Sequence, residues 1–288
     1  MDETSKKKIL QIGNLLTPIF CALTIGLSGL DFSSTVISDS GYPKILSPAP
    51  FTFAVWGPIF LFQFMFYFYQ ARDLFKSREN KIEMPYVHEV SVFFILSWIS
   101  TTVWYVLWVL GFVWPAIGAM FAYLLSSLGA YLGLGINLRA RSLKEHLFVT
   151  VAWSLLAGWV TVAAIVNTTT GFVYSGFDPG VIGEAGWTSI ILLMAVGIYL
   201  LVLVRRNDFV FAGVGLWAII GLIADLLDPT NVPQPLVTLV AILGVGILSV
   251  AMIVWFYLQS RRGVISLPSF CDFNQESTSQ VTIRIISQ

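Results

Sequence analysis

The sequence predicts an all-α, polytopic membrane helix bundle of eight transmembrane helices with both termini cytoplasmic. Three observations carry this expectation. Of 288 residues, 57% are hydrophobic and 11% charged, against about 25% charged in soluble domains. The mean hydropathy of +0.81 describes a surface that water could not solvate. Apolar runs long enough to cross a bilayer recur along the chain, separated by short polar stretches. The net charge is zero, so no electrostatic footprint for nucleic acid exists. Cys21 and Cys271 fall in a span and in the tail and are not expected to pair. The sequence has no Cys/His metal pattern, and no metal or other cofactor is expected. His88 and His146 border spans beside charged residues and read as solvated flanks.

The first span, residues 9–30, follows the basic start Lys6-Lys-Lys8. It is longer than a signal-peptide core and lacks a small-residue cleavage site, so it reads as a retained helix. Its Asn14, Thr17, Cys21 and Thr24 share one helical face, as residues that pack on neighbouring helices would. A loop with Asp31, Asp39 and Lys44 leads to Pro48 and Pro50. Proline fixes φ and removes a backbone donor, which suits a rigid lead-in rather than a helix interior. Span two, 51–71, is heavily aromatic, and Trp56 falls where an indole bridges lipid and the polar boundary. Residues 72–89 carry charges of both signs and read as a solvated loop.

Span three, 90–110, carries Trp98, Trp104 and Trp108, the last two stacked at i, i+4. Span four, 111–138, follows after a tight turn and contains Gly129 and Gly133, a small-xxx-small pair that permits close helix approach. Span five, 147–169, contains Trp153, Trp159, Ala163 and Asn167. Spans six, seven and eight are 186–204, 209–227 and 236–259. Trp114 and Trp187 at span ends, and Trp255 near the inner end of span eight, read as interfacial belt residues. Asp225 lies near the outer end of span seven and is expected at the hydrated interface. Residues 260–288 form a polar tail, expected to be disordered.

Orientation follows from the bases. With eight alternating spans and a cytoplasmic N-terminus, Lys44 is the one exception among sixteen Lys and Arg residues; all the others fall on the cytoplasmic side. Short loops are where such a bias sets topology.

On span two, Val55-Trp56-x-x-Ile59-Phe60 after a proline-containing lead-in resembles a helix of the tryptophan-rich sensory protein family, which includes the translocator protein. On span five, Trp159-x-x-x-Ala163-x-x-x-Asn167 resembles that family's Trp, Ala and Asn at the same steps, all on one helical face. Trp104-x-x-x-Trp108 is similar to its third helix. The resemblance implies that residues 1–170 form the family's five-helix bundle. Residues 171–259 then add three helices, as in its longer members, whose later spans resemble Arg205-Arg-Asn-Asp208 and Gly215-Leu-Trp217 here. The short members carry Trp-x-Pro-Pro and a base before span two. Here the matching region is Ser47-Pro-Ala-Pro50, so roles tied to that tryptophan do not transfer.

What the resemblance implies for function is a binder of tetrapyrroles or sterols in an aromatic cavity, without bond chemistry. Flat apolar ligands suit indole and phenyl walls with a few polar groups. The candidate ligand-binding residues are Trp56, Trp104, Trp108, Trp153, Trp159 and Ala163, with Asn167 as a polar anchor. For any single tryptophan, service in helix packing or an interfacial belt is the more common role. Expected partners are the lipid bilayer, a porphyrin or sterol, and a second copy in a homodimer. The alternative is a small-solute transporter or channel, which would favour charge at mid-membrane and broken helices repeated in both halves. An enzyme would need a nucleophile–base pair or metal ligands at membrane depth, and the spans offer none.

Overall fold

A computed structural model describes residues 2–30 and 46–261. Asp31, Asp39, Lys44, Cys271 and the tail beyond Arg261 lie outside the described residues. Nine helices of at least six residues are described. Helix α1 is Glu3–Ser28, capped by Asp2, whose carboxylate accepts from Ser5 N at 2.9 Å. A 3₁₀ segment, Pro50–Val55, leads into α2, Trp56–Tyr69. Helix α3 is Pro85–Val90, α4 is Phe93–Val109 and α5 is Val113–Gly133. Helix α6 runs over Leu143–Tyr174 with a π turn at His146–Val151. Helices α7, α8 and α9 are Gly183–Arg206, Phe209–Leu226 and Pro235–Arg261.

Among the described residues, seven helices are long and apolar enough to cross a membrane: α1, α2 with its lead-in, α5, α6, α7, α8 and α9. The eighth expected span is the apolar 17-residue α4. It reaches about 25 Å at 1.5 Å per residue, the lower end of what spans a bilayer. The chain is a multi-pass membrane bundle.

Its turns are written in the sequence. Arg205 and Arg206 complement the negative end of α7. Asn207 then takes φ 51°, the left-handed conformation asparagine tolerates at a helix end. Asp208 restarts the chain by accepting from Phe211 N at 2.9 Å as the cap of α8.

Helix α6 is the axis of the molecule. In its most apolar stretch 72% is buried, against 22% in α1 and in α9. It packs against α2, α5 and α8, while α9 packs on α7 and α8. The small pair on α5 does what its spacing suggests. A Cβ on Gly129 would lie 2.5 Å from the Phe93 ring, and one on Gly133 would lie 2.5 Å from the Glu89 carbonyl oxygen. These glycines therefore seat α5 against the α3–α4 junction, where Ser91 turns the chain with φ 51°.

The stretch expected as a solvated loop, 72–89, is in part buried, and this corrects the sequence reading. Tyr86, Val87 and Asp73 are fully covered. Asp73 accepts from Lys7 Nζ at 2.6 Å, Gln11 Nε2 at 2.8 Å and Ile82 N at 2.9 Å. Lys7 also donates to the Ile82 carbonyl at 2.6 Å. Burial pushes the Asp73 carboxyl up, but these donors and the Lys7 charge outweigh it and hold the group below its ordinary value. Beside it, Glu89 pairs with Arg139 and with Arg141, the latter at 2.7 Å. The bases Lys7, Arg139 and Arg141 thus all meet acids of the 72–89 stretch.

Replacing Lys7 by Met strands a buried carboxylate, and the expected loss is about 3–5 kcal/mol, read as a drop in thermal midpoint in detergent. Because the native Asp73 carboxyl lies below its ordinary value of 3.8, its contribution is complete at neutral pH. It disappears as pH falls through that lowered value, and Asp73→Asn should flatten this acid limb of the stability curve.

Candidate functional site: an aromatic cavity in the outer half

A cavity of about 430 Å³ lies between the α2 lead-in, α2, α4, α5, α6 and the end of α1. The lead-in contributes Pro50, Phe51, Phe53 and Ala54, and α2 contributes Trp56, Ile59, Phe60 and Gln63. The α4 wall is Ser97, Trp98, Thr101, Thr102, Trp104 and Tyr105. Ile25, Tyr123 and Leu156 close it from α1, α5 and α6. A volume of this size is within the range of small-molecule sites.

The walls are built by helical spacing. Trp56, Phe60 and Gln63 recur at i, i+4, i+7 along α2, and Trp98, Thr102 and Tyr105 do the same along α4, so each set shares a face. Trp56 and Phe60 stack with centroids 5.2 Å apart and 19° between planes. Trp159 meets Trp56 edge-on at 6.2 Å and Phe53 edge-on at 5.8 Å. Offset and edge-on pairs such as these hold ring orientation beyond simple burial.

The polar groups on the wall are mostly committed to the protein. Ser97 and Thr102 donate to the Phe94 and Trp98 carbonyls of their own helix at 2.7 and 2.8 Å. Tyr123 and Thr101 hydrogen-bond each other. Gln63 Nε2 donates to the Ala152 carbonyl at 2.9 Å, where the π turn of α6 returns to α-helical pitch. Such one-turn π insertions recur beside binding sites because they re-aim the following turns.

Two of the seven residues expected at the site, Trp56 and Trp104, line the cavity. Trp159 stands directly behind Trp56 and is 2% exposed. Asn167 Oδ1 accepts from Trp104 Nε1 at 2.8 Å, and its Nδ2 donates to the Ala163 carbonyl at 2.8 Å. Asn167 thus orients a cavity tryptophan rather than lining the cavity. Ala163 supplies that carbonyl one turn earlier. Trp108 lies one turn beyond Trp104 on α4, its ring tilted by 32° at 6.2 Å. Trp153 is fully buried between Phe66 and Phe94, at 5.8 and 6.1 Å, as part of the inner-half core. The shared face of Trp159, Ala163 and Asn167 forms the supporting layer behind the cavity.

Sequence reading took residues 48–60 as a wall of the cavity but passed over Gln63, Trp98, Thr101, Thr102, Tyr105 and Tyr123. The signal was present in the i, i+4, i+7 faces of α2 and α4, which mix aromatic residues with an amide on α2 and hydroxyls on α4. Trp114 Nε1 donates to Ser175 Oγ at 2.9 Å at the outer end, as a belt residue can. Trp255 is tied inward, donating to Asn207 Oδ1 at 2.7 Å. Asp225 lies in the last turn of α8 and is half-buried. Among the described residues, no group of three or more His, Cys, Asp or Glu is placed to hold a metal ion.

Comparison with known proteins gives one family: the model of a family described as TSPO-like protein matches residues 9–255. No curated protein and no solved structure matches.

Replacing Asn167 by Leu leaves the Trp104 N–H buried without its acceptor. The expected cost is about 1–3 kcal/mol of stability, with a changed near-ultraviolet circular dichroism spectrum as Trp104 loses its fixed orientation.

Proposed function

The chain belongs to the TSPO-like protein family, and from that premise we propose that it binds a flat, hydrophobic ligand of the tetrapyrrole or sterol class in the α2–α4 cavity, without making or breaking bonds. The observation that carries the reading is the cavity itself. It offers about 430 Å³ walled by Trp56, Phe60, Trp98, Trp104 and Phe53, with hydroxyls concentrated on α4 and one amide on α2. A planar ring system gains most from such walls, because indole and phenyl faces cover it while ordering few rotatable bonds. With their donors engaged inside the protein, the hydroxyl oxygens and the Gln63 side-chain oxygen keep acceptor capacity for a donor on the edge of a ligand, which is how apolar pockets select orientation.

The candidate residues take distinct parts in this reading. Trp56 and Trp104 contact the ligand. Trp159 braces Trp56, and Asn167 with Ala163 fixes the plane of Trp104. Trp108 and Trp153 extend the aromatic layer outward and inward without reaching the cavity.

Purified full-length protein in nanodiscs should bind protoporphyrin IX saturably, with quenching of tryptophan fluorescence. Trp104→Ala should weaken binding roughly tenfold or more, the scale of losing one buried aromatic contact. Asn167→Ala should weaken it by a smaller factor, since it removes only the brace. Trp153→Phe, outside the cavity, should leave the affinity unchanged. Failure of porphyrins and sterols alike to saturate would defeat the proposed ligand class. Solute uptake by reconstituted vesicles would favour the transporter instead.

A further inference from the structure

We infer that α8, one of the helices beyond the first six, sets the shape of the cavity's outer wall, with Trp217 and Gly221 as positioning residues for the ligand site; the inference rests on the cavity being that site. The wall in question is the 3₁₀ segment Pro50–Val55, which presents Pro50, Phe51, Phe53 and Ala54 to the cavity. A proline-led 3₁₀ turn makes few internal hydrogen bonds, and no side chain caps this one. Its conformation therefore depends on what it rests against.

It rests on one face of α8. Trp217 Nε1 donates to the Thr52 carbonyl at 2.8 Å, across 165 residues of sequence. The Trp217 ring meets Phe51 edge-on at 5.6 Å and 86°. One turn later, the Gly221 carbonyl accepts from Ala49 N at 3.0 Å. Trp217 and Gly221 are i, i+4 and therefore share this face. The fit at Gly221 admits no side chain. A Cβ there would lie 1.9 Å from Thr52 Oγ1 and 2.8 Å from Thr52 Cβ, and Thr52 is fully buried. Two hydrogen bonds, a ring contact and a side-chain-free seat thus converge on residues 49–52. The next two residues, Phe53 and Ala54, line the cavity.

Neither Trp217 nor Gly221 lines the cavity, so a change in affinity on altering them must pass through the segment they hold. The test measures protoporphyrin IX binding by the shift of its Soret absorbance, which does not depend on counting tryptophans. Full-length protein in nanodiscs is compared with four variants. Trp217→Phe keeps a ring against Phe51 and removes the N–H; its Kd should rise roughly 3- to 10-fold, the factor equivalent to one net hydrogen bond. Gly221→Ala should raise Kd at least as much by displacing Thr52. Adding Thr52→Gly to Gly221→Ala removes all three atoms that the new Cβ meets, and should restore affinity toward wild type. Gly246→Ala, at a position with nothing within 4 Å, should bind as wild type.

Wild-type affinity in folded Trp217→Phe and Gly221→Ala overturns the inference and leaves the ligand site standing. Weakened binding that Thr52→Gly fails to restore, in step with a lowered thermal midpoint, assigns the two residues a merely structural part and also overturns it. Absence of saturable binding in wild type overturns site and inference together. If Gly221→Ala does not fold, Trp217→Phe decides.

Discussion

A buried N–H in a bilayer has no water to turn to, and most of the cross-helix side-chain bonds of this bundle answer that requirement, although the buried Trp153 Nε1 meets no acceptor. Tryptophan makes it acute, because the indole is the bulkiest apolar side chain and still carries one donor. The protein turns this cost to use. Trp104 donates from α4 to Asn167 on α6, Trp114 from α5 to Ser175 just past α6, Trp217 from α8 to the lead-in of α2, and Trp255 from α9 to the α7–α8 turn. Each of these bonds joins elements far apart in sequence. Tyr199 does the same with the Gly158 carbonyl, tying α7 to α6 at 2.9 Å. Apolar contact alone discriminates poorly between helix pairings in lipid, where the tails are as apolar as the side chains. Directional bonds of this kind can fix which helix lies against which.

Serines and threonines answer the same requirement locally. Thr17, Thr24, Ser126, Thr161, Thr168 and Thr170 return their hydroxyl protons to the carbonyl four residues back. They cost the membrane little and leave helix faces smooth. The polar face expected on α1 divides accordingly. Asn14 and Cys21 are buried, whereas Thr24 is exposed and satisfied by its own helix. Hydroxyl spacing alone therefore does not reveal which side of a span faces protein.

Much of the architecture was legible in the sequence because two physical records are written along it. Hydropathy marks each crossing, and the placement of Lys and Arg marks which side each loop occupies. The shared face of Trp159, Ala163 and Asn167 was equally legible, since i, i+4 spacing is a property of the helix alone. What stayed hidden depends on residues distant in sequence. The charges in 72–89 suggested solvent, but Asp73 is buried because Lys7, 66 residues earlier, arrives to neutralise it. Helix α3 was masked by the charges around it, although Tyr86, Val87 and Val90 supply a buried face. The cavity was drawn from tryptophans, while its α4 wall owes as much to Thr101, Thr102 and Tyr105. The seat of the lead-in on α8 had no local signal at all.

The brevity of α4 has a consequence for the membrane around the protein. At about 25 Å it is roughly 5 Å shorter than a typical hydrocarbon core, while α9 is 27 residues long. Leu96, Ile99 and Val103 on α4 are exposed, as lipid-facing residues of a span are. Hydrophobic mismatch of this kind costs fractions of a kcal/mol per ångström and sorts proteins among membranes of different thickness. This short span is also the helix whose opposite face walls the cavity, so a thinner bilayer would suit the cavity-bearing side of the molecule.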